Sequence, residues 1–339
     1  MSLLPYLHRT VERQDLSAAE AQEAMAIILG GGASTAQISA FLVALRMKGE
    51  TSAELLGFAR AMRQAASPVA PQLDGAPLLD TCGTGGDGLG TFNISTIAAF
   101  VVAGAGVKVA KHGNRSISSR CGSSDVLERL GVKIALDPAR VARAIQEVGI
   151  GFLFAPAFHP AMKHAQPARL ELKMRTVFNM LGPLTNPAGA TAQVVGASSP
   201  WAAQRIAETL AELGLARGFV VHGSDGLDEI TTTGPSLVIE IRDGRVLRRE
   251  VVPAEFGVAP ASLADLAGGE PEFNAGVAKS VLDGQAGPRR DIVLVNAAAA
   301  LVAAGMAELF LEAMLRARDS IDSGAARAKL AQLAAFSQQ

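Results

Sequence analysis

One stretch of the chain, residues 80–125, constrains its fold more than any other. It reads DTCGTGGDGLGTFNISTIAAFVVAGAGVKVAKHGNRSISSRCGSSD. A short apolar run leads into a turn with glycines at Gly83, Gly85, Gly86, Gly88 and Gly90. Asn93, Ser95 and Thr96 then open a segment rich in Ala, Val and Ile. A second apolar run leads to Lys111, His112, Asn114 and Arg115 and on into a serine-rich turn. Strand, glycine turn, helix, strand and basic turn, in that order, predict parallel pairing. That arrangement gathers backbone N–H groups, hydroxyls and cations at one sheet edge, where anions bind.

At 339 residues the chain exceeds what one compact core usually holds, so two domains are expected. Hydrophobic residues make up 49% and charged residues 19%, as in a globular protein with a large core. A formal net charge of -1 gives no electrostatic reason to expect nucleic acid or an anionic membrane as partner. Aromatic content of 4% argues against a base-stacking surface. Residues 1–29 lack a basic segment followed by an apolar core, so no signal peptide is expected. The longest apolar stretches are too short to span a bilayer. Cys82 and Cys121 are the only cysteines, which excludes a disulfide framework and fits a reducing cytoplasm.

Residues 1–67 carry helical periodicity and no strand pattern. Ser17 with Glu20 and Thr51 with Glu54 form capping boxes, and Ser34 or Thr35 caps a helix between them. From residue 78 short β-branched runs alternate with Ala-rich helical stretches. Strands are predicted at 78–81, 107–110, 133–136, 151–154, 193–196, 219–222, 237–241 and 246–251. Helices are predicted at 94–104, 123–130, 138–148, 200–213, 291–304 and 307–320. This alternation implies an α/β fold with a mostly parallel central sheet covered on both faces. The 237–251 pair, joined by Asp243-Gly244, reads as a hairpin. Between Pro156 and Pro187 the alternation stops. One helix begins near His159 and Pro160 and another spans 169–180. A helical insertion that returns to the first helical unit explains both. The organisation is therefore a helical domain of residues 1–70, joined by 160–187, and an α/β domain of residues 71–159 and 188–339.

The 83–88 turn matches G-x-G-x-x-G, the dinucleotide fingerprint. Two features count against that function. Asp87 would repel a pyrophosphate unless a hydroxyl or a metal ion intervenes. The acid expected about 20 residues on for a ribose hydroxyl is absent. The turn still suits phosphate, because its backbone N–H groups can approach a ligand closely. Asn93, Ser95 and Thr96 exceed what one helix cap requires and sit where a helix dipole favours anions. Lys111, Asn114, Arg115 and the serines around them, with Gly113 and Gly122, read as a second phosphate loop. Asp228 and Glu229 follow the 219–222 strand and are expected at the same sheet edge. Adjacent carboxylates without Cys or His ligands suit Mg²⁺. Arg169 and Arg175 are alternative clamps for a substrate carboxylate, and spacing does not choose between them. His112 reads equally as an acid–base group or as a support for a backbone carbonyl. Both cysteines read as buried, inert thiols.

Five segments, GTGGDGLGTFNIST, KHGNRSISSRCGSSDVLERLGV, HPAMK, RTVFNMLGPLTNP and DGLDE, occur in an order that resembles the anthranilate phosphoribosyltransferase family. The resemblance implies a small helical domain plus a larger α/β domain of the nucleoside phosphorylase and phosphoribosyltransferase type. It implies transfer of ribose 5-phosphate from phosphoribosyl diphosphate to the amine of anthranilate, with Mg²⁺, in tryptophan biosynthesis. It also implies a cytoplasmic homodimer joined through the helical domain, with no nucleic-acid or membrane partner. By motif position, phosphoribosyl diphosphate would meet Gly83, Gly86, Asp87, Thr91, Asn93, Ile94, Ser95 and Thr96 on the first loop. On the second it would meet Lys111, His112, Gly113, Asn114, Arg115, Ser116, Ile117, Ser118, Ser119 and Ser123. Anthranilate would meet Gly83, Asn114 and Arg169, so the resemblance favours Arg169 over Arg175. Ser95, Asp228 and Glu229 would hold Mg²⁺, and no general base is implied. The chain departs from the family pattern at Cys121, Ser124, Leu170 and Lys173.

Overall fold

Four helices open the chain in the computed structural model, which describes residues 2–116 and 120–339. They are α1 (Leu4–Val11), α2 (Ala18–Leu29), α3 (Thr35–Lys48) and α4 (Ser52–Ala65). Ser17, Ser34 and Thr51 cap α2, α3 and α4, and Glu20, Gln37 and Glu54 return the bond. Each box satisfies two otherwise orphan N–H groups, which explains why these helices start where they do. Gly57 sets α4 close against α2, because a Cβ there would lie 2.2 Å from the Ala18 carbonyl oxygen.

Seven strands form one sheet: β1 (Leu78–Asp80), β2 (Lys108–Gly113), β3 (Ile150–Phe154), β4 (Ala192–Gly196), β5 (Arg217–Gly223), β6 (Ser236–Arg242) and β7 (Arg245–Val251). Their order is β3-β2-β1-β4-β5-β6-β7. β1 to β5 pair in parallel, and β6 and β7 extend the sheet antiparallel. Asp243 and Gly244 turn the β6–β7 hairpin with φ of 51° and 74°, the left-handed pair that a tight hairpin favours.

The remaining helices are α5 (Ile94–Gly104), α6 (Ser123–Arg129), α7 (Pro138–Glu147), α8 (Ala155–Phe158), α9 (Gln166–Leu172), α10 (Phe178–Leu181), α11 (Pro200–Glu212), α12 (Pro271–Leu282), α13 (Pro288–Ala303), α14 (Phe310–Asp322) and α15 (Ala325–Gln338). Alternate strand residues face opposite ways, so one sheet feeds two cores. Val194, Phe219, Val221 and Val238 pack with α5 and α13. Val195, Val220, Ile239 and Ile241 pack with α11, in the same cluster as α2, α3 and α4. Both faces are covered, which accounts for the apolar runs in the sequence.

Three sequence expectations need correction. Residues 133–136 form no strand. Val132, Ile134 and Leu136 are buried, but the chain there binds α15, with the Lys133 N–H donating to Ser337 Oγ at 2.9 Å. The alternation records contact with two separate clusters, not a sheet ladder. The 169–180 helix is two short ones, because Lys173 adopts a left-handed conformation, with φ 46° and ψ 34°, at the end of α9. The helix expected near residue 159 is a short 3₁₀ turn, Pro160–His164. Helices α1, α12 and α15 were not predicted.

The α2–α4 contact predicts that Gly57→Ala destabilises the protein by about 1–3 kcal/mol, the usual cost of overpacking. Urea unfolding measures this, and wild-type stability in the variant would contradict the packing described.

Candidate active site

The strand order reverses at β1. From β1 the chain winds outward to β2 and β3, and it returns on the other side as β4 and β5. A crevice opens beyond the carboxyl ends of strands at such a point. The loops after β1, β2, β3 and β5 all reach it. They line a cavity of about 320 Å³ with Arg169 and Phe178 from the insertion. Every described residue that the resemblance singled out lines this cavity: the first-loop set, the second-loop set, Arg169, Asp228 and Glu229. Ile117, Ser118 and Ser119 lie outside the described residues.

The glycine turn is tied down from three sides. Thr84 N–H donates to the Gly196 carbonyl at 2.8 Å. Gly85 N–H donates to Asp228 Oδ2 at 2.8 Å. Arg175 Nη2 donates to the Gly85 carbonyl at 3.0 Å and also to that of Gly86. Gly85 and Gly86 have φ of 66° and 73°, a left-handed conformation that side chains disfavour. Arg175 thus takes up carbonyls of the turn, whereas among the described residues no hydrogen bond or ion pair takes up the Arg169 guanidinium. The Arg169 guanidinium sits over the Phe178 ring, 5.2 Å from its centroid. Burial holds Arg169 below the usual arginine range.

Asn93 occupies the cap position of α5, yet its side chain makes no cap bond. It donates instead to the Cys121 carbonyl at 3.1 Å and accepts from Asn274 at 3.0 Å, joining the two loops. The first turn of α5 is held by an acid from elsewhere: Ser95 N–H donates to Glu229 Oε1 at 3.1 Å. Lys111 is 4% exposed. Its Nζ donates to the Thr81 carbonyl at 3.0 Å and to Ser95 Oγ at 3.5 Å.

Burial, reinforced by Asp87, pushes the Asp228 carboxyl up from the usual aspartate range. Burial, reinforced by Asp228, does the same to Glu229. Two carboxylates that resist ionising side by side form a place where a cation is favoured. The donors are carboxylate oxygens, with Ser95 lining the same small cavity, and among the described residues no thiolate or imidazole joins them. That set fits Mg²⁺.

The second loop closes on itself. Gly122 N–H and Ser116 N–H both donate to Asp125 Oδ2, at 2.8 and 3.2 Å. A Cβ at Gly113 would lie 2.3 Å from Ser123 Oγ, and one at Gly122 would lie 2.4 Å from Ser116 N. These two glycines therefore serve close packing of the loop. Arg115 is paired with Asp125 at 2.9 Å and Glu128 at 2.7 Å. These bonds raise its pKa further and commit its fork to protein acids. Sequence spacing did not reveal those partners.

His112 supports a carbonyl: its Nδ1 lies 3.2 Å from the Gly182 oxygen. Its ring is 5.2 Å from that of His159. The Nε2 of each ring is buried without a partner among the described residues. Asp80, Cys82 and His112 have ligand atoms within 4.8 Å of one another. Asp80 is already satisfied, however, by His112 N–H at 3.1 Å and Asn186 Nδ2 at 2.7 Å. Burial pushes the Cys82 thiol well up and the Cys121 thiol up to about 11, so both stay protonated and inert.

A model described as the helical bundle domain of a glycosyl transferase family matches residues 4–66. One described as the a/b domain of that family matches residues 75–327. Anthranilate phosphoribosyltransferase of Solibacter usitatus is 68% identical over 336 residues, 99% of each chain. That of Moorella thermoacetica is 56% identical over 330 residues, 97% of each. The crystal structure of the Thermus thermophilus enzyme matches with a TM-score of 0.93 at 46% identity, covering 100% of both chains. The Saccharomyces cerevisiae enzyme, in complex with PRPP and Mg, matches with a TM-score of 0.90 at 29% identity, covering 99% of this chain and 98% of its own.

Burial pushes His112 down to about 3 and His159 down to about 4. Both pKa values lie below the unfolded value of about 6.5. The stability they contribute is therefore present above that value and lost as pH falls toward 4. Imidazole ¹⁵N NMR should find both rings neutral from pH 8 to about 5. A midpoint inside that range for either ring would contradict the burial described.

Proposed function

The chain belongs to the anthranilate phosphoribosyltransferase family of pentosyl-transferring enzymes, and on that premise we propose how its residues divide the reaction. The chain transfers the 5-phosphoribosyl group from phosphoribosyl diphosphate to the amine of anthranilate and releases diphosphate, in tryptophan biosynthesis. The observation that carries this reading is one cavity joining the glycine turn, the N-terminus of α5, two acids and Arg169. The yeast relatives solved with PRPP and Mg and with 4-fluoroanthranilate support it.

In this reading the glycine turn, Asn93 to Thr96 and the loop from Lys111 to Ser123 hold phosphoribosyl diphosphate. Backbone N–H groups and the α5 dipole suit its charge. Asp228, Glu229 and Ser95 hold Mg²⁺, which when bound stabilises negative charge on the leaving diphosphate as a Lewis acid. Gly83, Asn114 and Arg169 orient anthranilate, with the Arg169 fork on its carboxylate. The anthranilate amine is already neutral at pH 7, so no strong base is needed. Neutral His112 and His159 fit that requirement. What these residues contribute is orientation and electrostatic stabilisation. Direct displacement would invert the ribose carbon, and retained configuration in the product would exclude it.

The organisation proposed is a helical domain of residues 1–70, joined by 160–187, with an α/β domain of residues 71–159 and 188–339. Ala165, Ala168, Phe178 and Leu181 share a core with α2, α3 and α4, in support of it. The proposed homodimer forms through the helical domain. Leu4, Val11 and Met47, exposed at 40%, 63% and 69% on α1 and α3, support that choice. No described helix is long and apolar enough to cross a membrane, which accords with the cytoplasmic setting proposed.

Anthranilate fluorescence should fall when phosphoribosyl diphosphate and Mg²⁺ are added. No change at any Mg²⁺ concentration would overturn the reading. Arg169→Ala should raise the KM for anthranilate about 10- to 100-fold, the range expected for losing a charge-assisted bond of ~1.5–3 kcal/mol. The KM for phosphoribosyl diphosphate should stay within about twofold, because this arginine belongs to the insertion and to neither anion loop. Equal losses for both substrates would remove Arg169 from the acceptor site.

A further inference from the structure

Asn296 belongs to α13, whose residues from Ile292 to Ala303 are all buried. A buried amide in an apolar helix is costly unless every polar atom is bonded. Asn296 is 3% exposed, and its amide is bonded at both ends. Its Oδ1 accepts the Ile230 N–H at 2.9 Å, and its Nδ2 donates to the Ile230 carbonyl at 2.9 Å. A second donation from Nδ2 reaches the Ile292 carbonyl at 2.9 Å. The side chain thus grips the backbone of the residue directly after Glu229, as a neighbouring strand would.

The other side of the two acids is also anchored. Asp225 Oδ1 accepts the Leu227 N–H at 3.1 Å. Its Oδ2 accepts the hydroxyls of Thr231 and Thr233, each at 2.6 Å. Asp228 and Glu229 therefore sit between two fixed points, one on the loop itself and one on the core helix. A small cavity of about 10 Å³ has Asn296, Asp228, Glu229, Ser95 and Thr81 in its lining.

We infer that Asn296 is a positioning residue for the metal-holding acids, fixing Glu229 by clamping the peptide groups of Ile230 to the core helix. This rests on the reading that Asp228 and Glu229 hold Mg²⁺. Residues that orient metal ligands from behind usually change affinity 10- to 100-fold when removed. A substrate contact of Asn296 is not required.

The test uses the full chain with phosphoribosyl diphosphate and titrates Mn²⁺ by electron paramagnetic resonance, alongside the Mg²⁺ concentration for half-maximal turnover. Asn296→Ala should weaken Mn²⁺ binding about tenfold or more and raise the Mg²⁺ requirement equally. The KM for anthranilate should stay within about twofold, because the clamp reaches only the acid side of the site. Asn296→Ser, which keeps one bonding group and opens a smaller void, should shift less and serves if the alanine variant does not fold. Leu301→Ala, on the same buried helix, is the control for lost packing alone. It should lower the melting temperature while leaving Mn²⁺ affinity unchanged. Equal weakening in Leu301→Ala and the Asn296 variants, or wild-type affinity in the latter, would overturn the inference. Asp228→Asn with Glu229→Gln separates the two claims. If that variant loses Mn²⁺ while the Asn296 variants do not, only the positioning role fails. If it binds Mn²⁺ like wild type, the assignment of the acids fails.

Discussion

No side chain fits at Gly196. A Cβ there would lie 1.6 Å from the backbone oxygen of Asp228. Gly196 ends β4 at the point where the strand order reverses, and its own carbonyl accepts the Thr84 N–H. Three segments thus meet at one glycine: the end of β4, the turn after β1 and the acid loop after β5. Only their close approach lets the Asp228 carboxylate reach the Gly85 N–H, and lets Glu229 reach the first turn of α5. A methyl group at residue 196 would push the acid loop off the sheet edge and open both contacts. The architecture of the site is in this sense set by backbone proximity first and by side-chain chemistry second.

Charge is the second constraint. Asp80, Asp228 and Glu229 are all pushed toward their neutral forms by burial. Lys111 opposes that shift at Asp80 and at Glu229, while Arg175 opposes it at Asp228. The acids also occupy N–H groups at the turn and at the helix N-terminus, which are natural anion-binding groups. A carboxylate therefore stands where a phosphate oxygen has its best partners. In the proposed reaction a polyanion bound with its metal ion would relieve the crowded carboxylates and meet those donors.

Much of this was legible in the sequence because it depended on local rules. Glycines after a short apolar run, capping boxes and Asp243-Gly244 between alternating runs each declare a backbone geometry directly. The five motifs named residues that the structure gathers around one cavity. What stayed hidden depended on distant partners. The acids that occupy Arg115 lie 10 and 13 residues away in the chain. Asn296 sits in an Ala-rich helix where nothing marks it. Residues 133–136 misled because alternating burial against α15 and a second cluster imitates a strand. Lys173 ends α9 in a left-handed conformation although lysine is an ordinary helix former, so its residue type did not announce the break.

The insertion links the two cores. Arg63 Nε of α4 donates to the Leu184 carbonyl at 2.7 Å, and Val69 N–H donates to the Pro187 carbonyl at 3.1 Å. Through these bonds the helical unit braces the segment that carries Arg169 and Arg175. The anion loops, by contrast, grow from the sheet. In the proposed reaction the acceptor would be oriented by Arg169 of the insertion and by Gly83 and Asn114 of the loops that hold the donor. In-line attack is sensitive to misplacement of about 1 Å. Arg175 bears on this, because it lies on the insertion yet bonds the glycine turn. It ties the proposed acceptor side to the donor turn across the junction. Two arginines six residues apart in the chain thus have unlike surroundings: Arg169 lines the cavity, while Arg175 bonds carbonyls of the glycine turn.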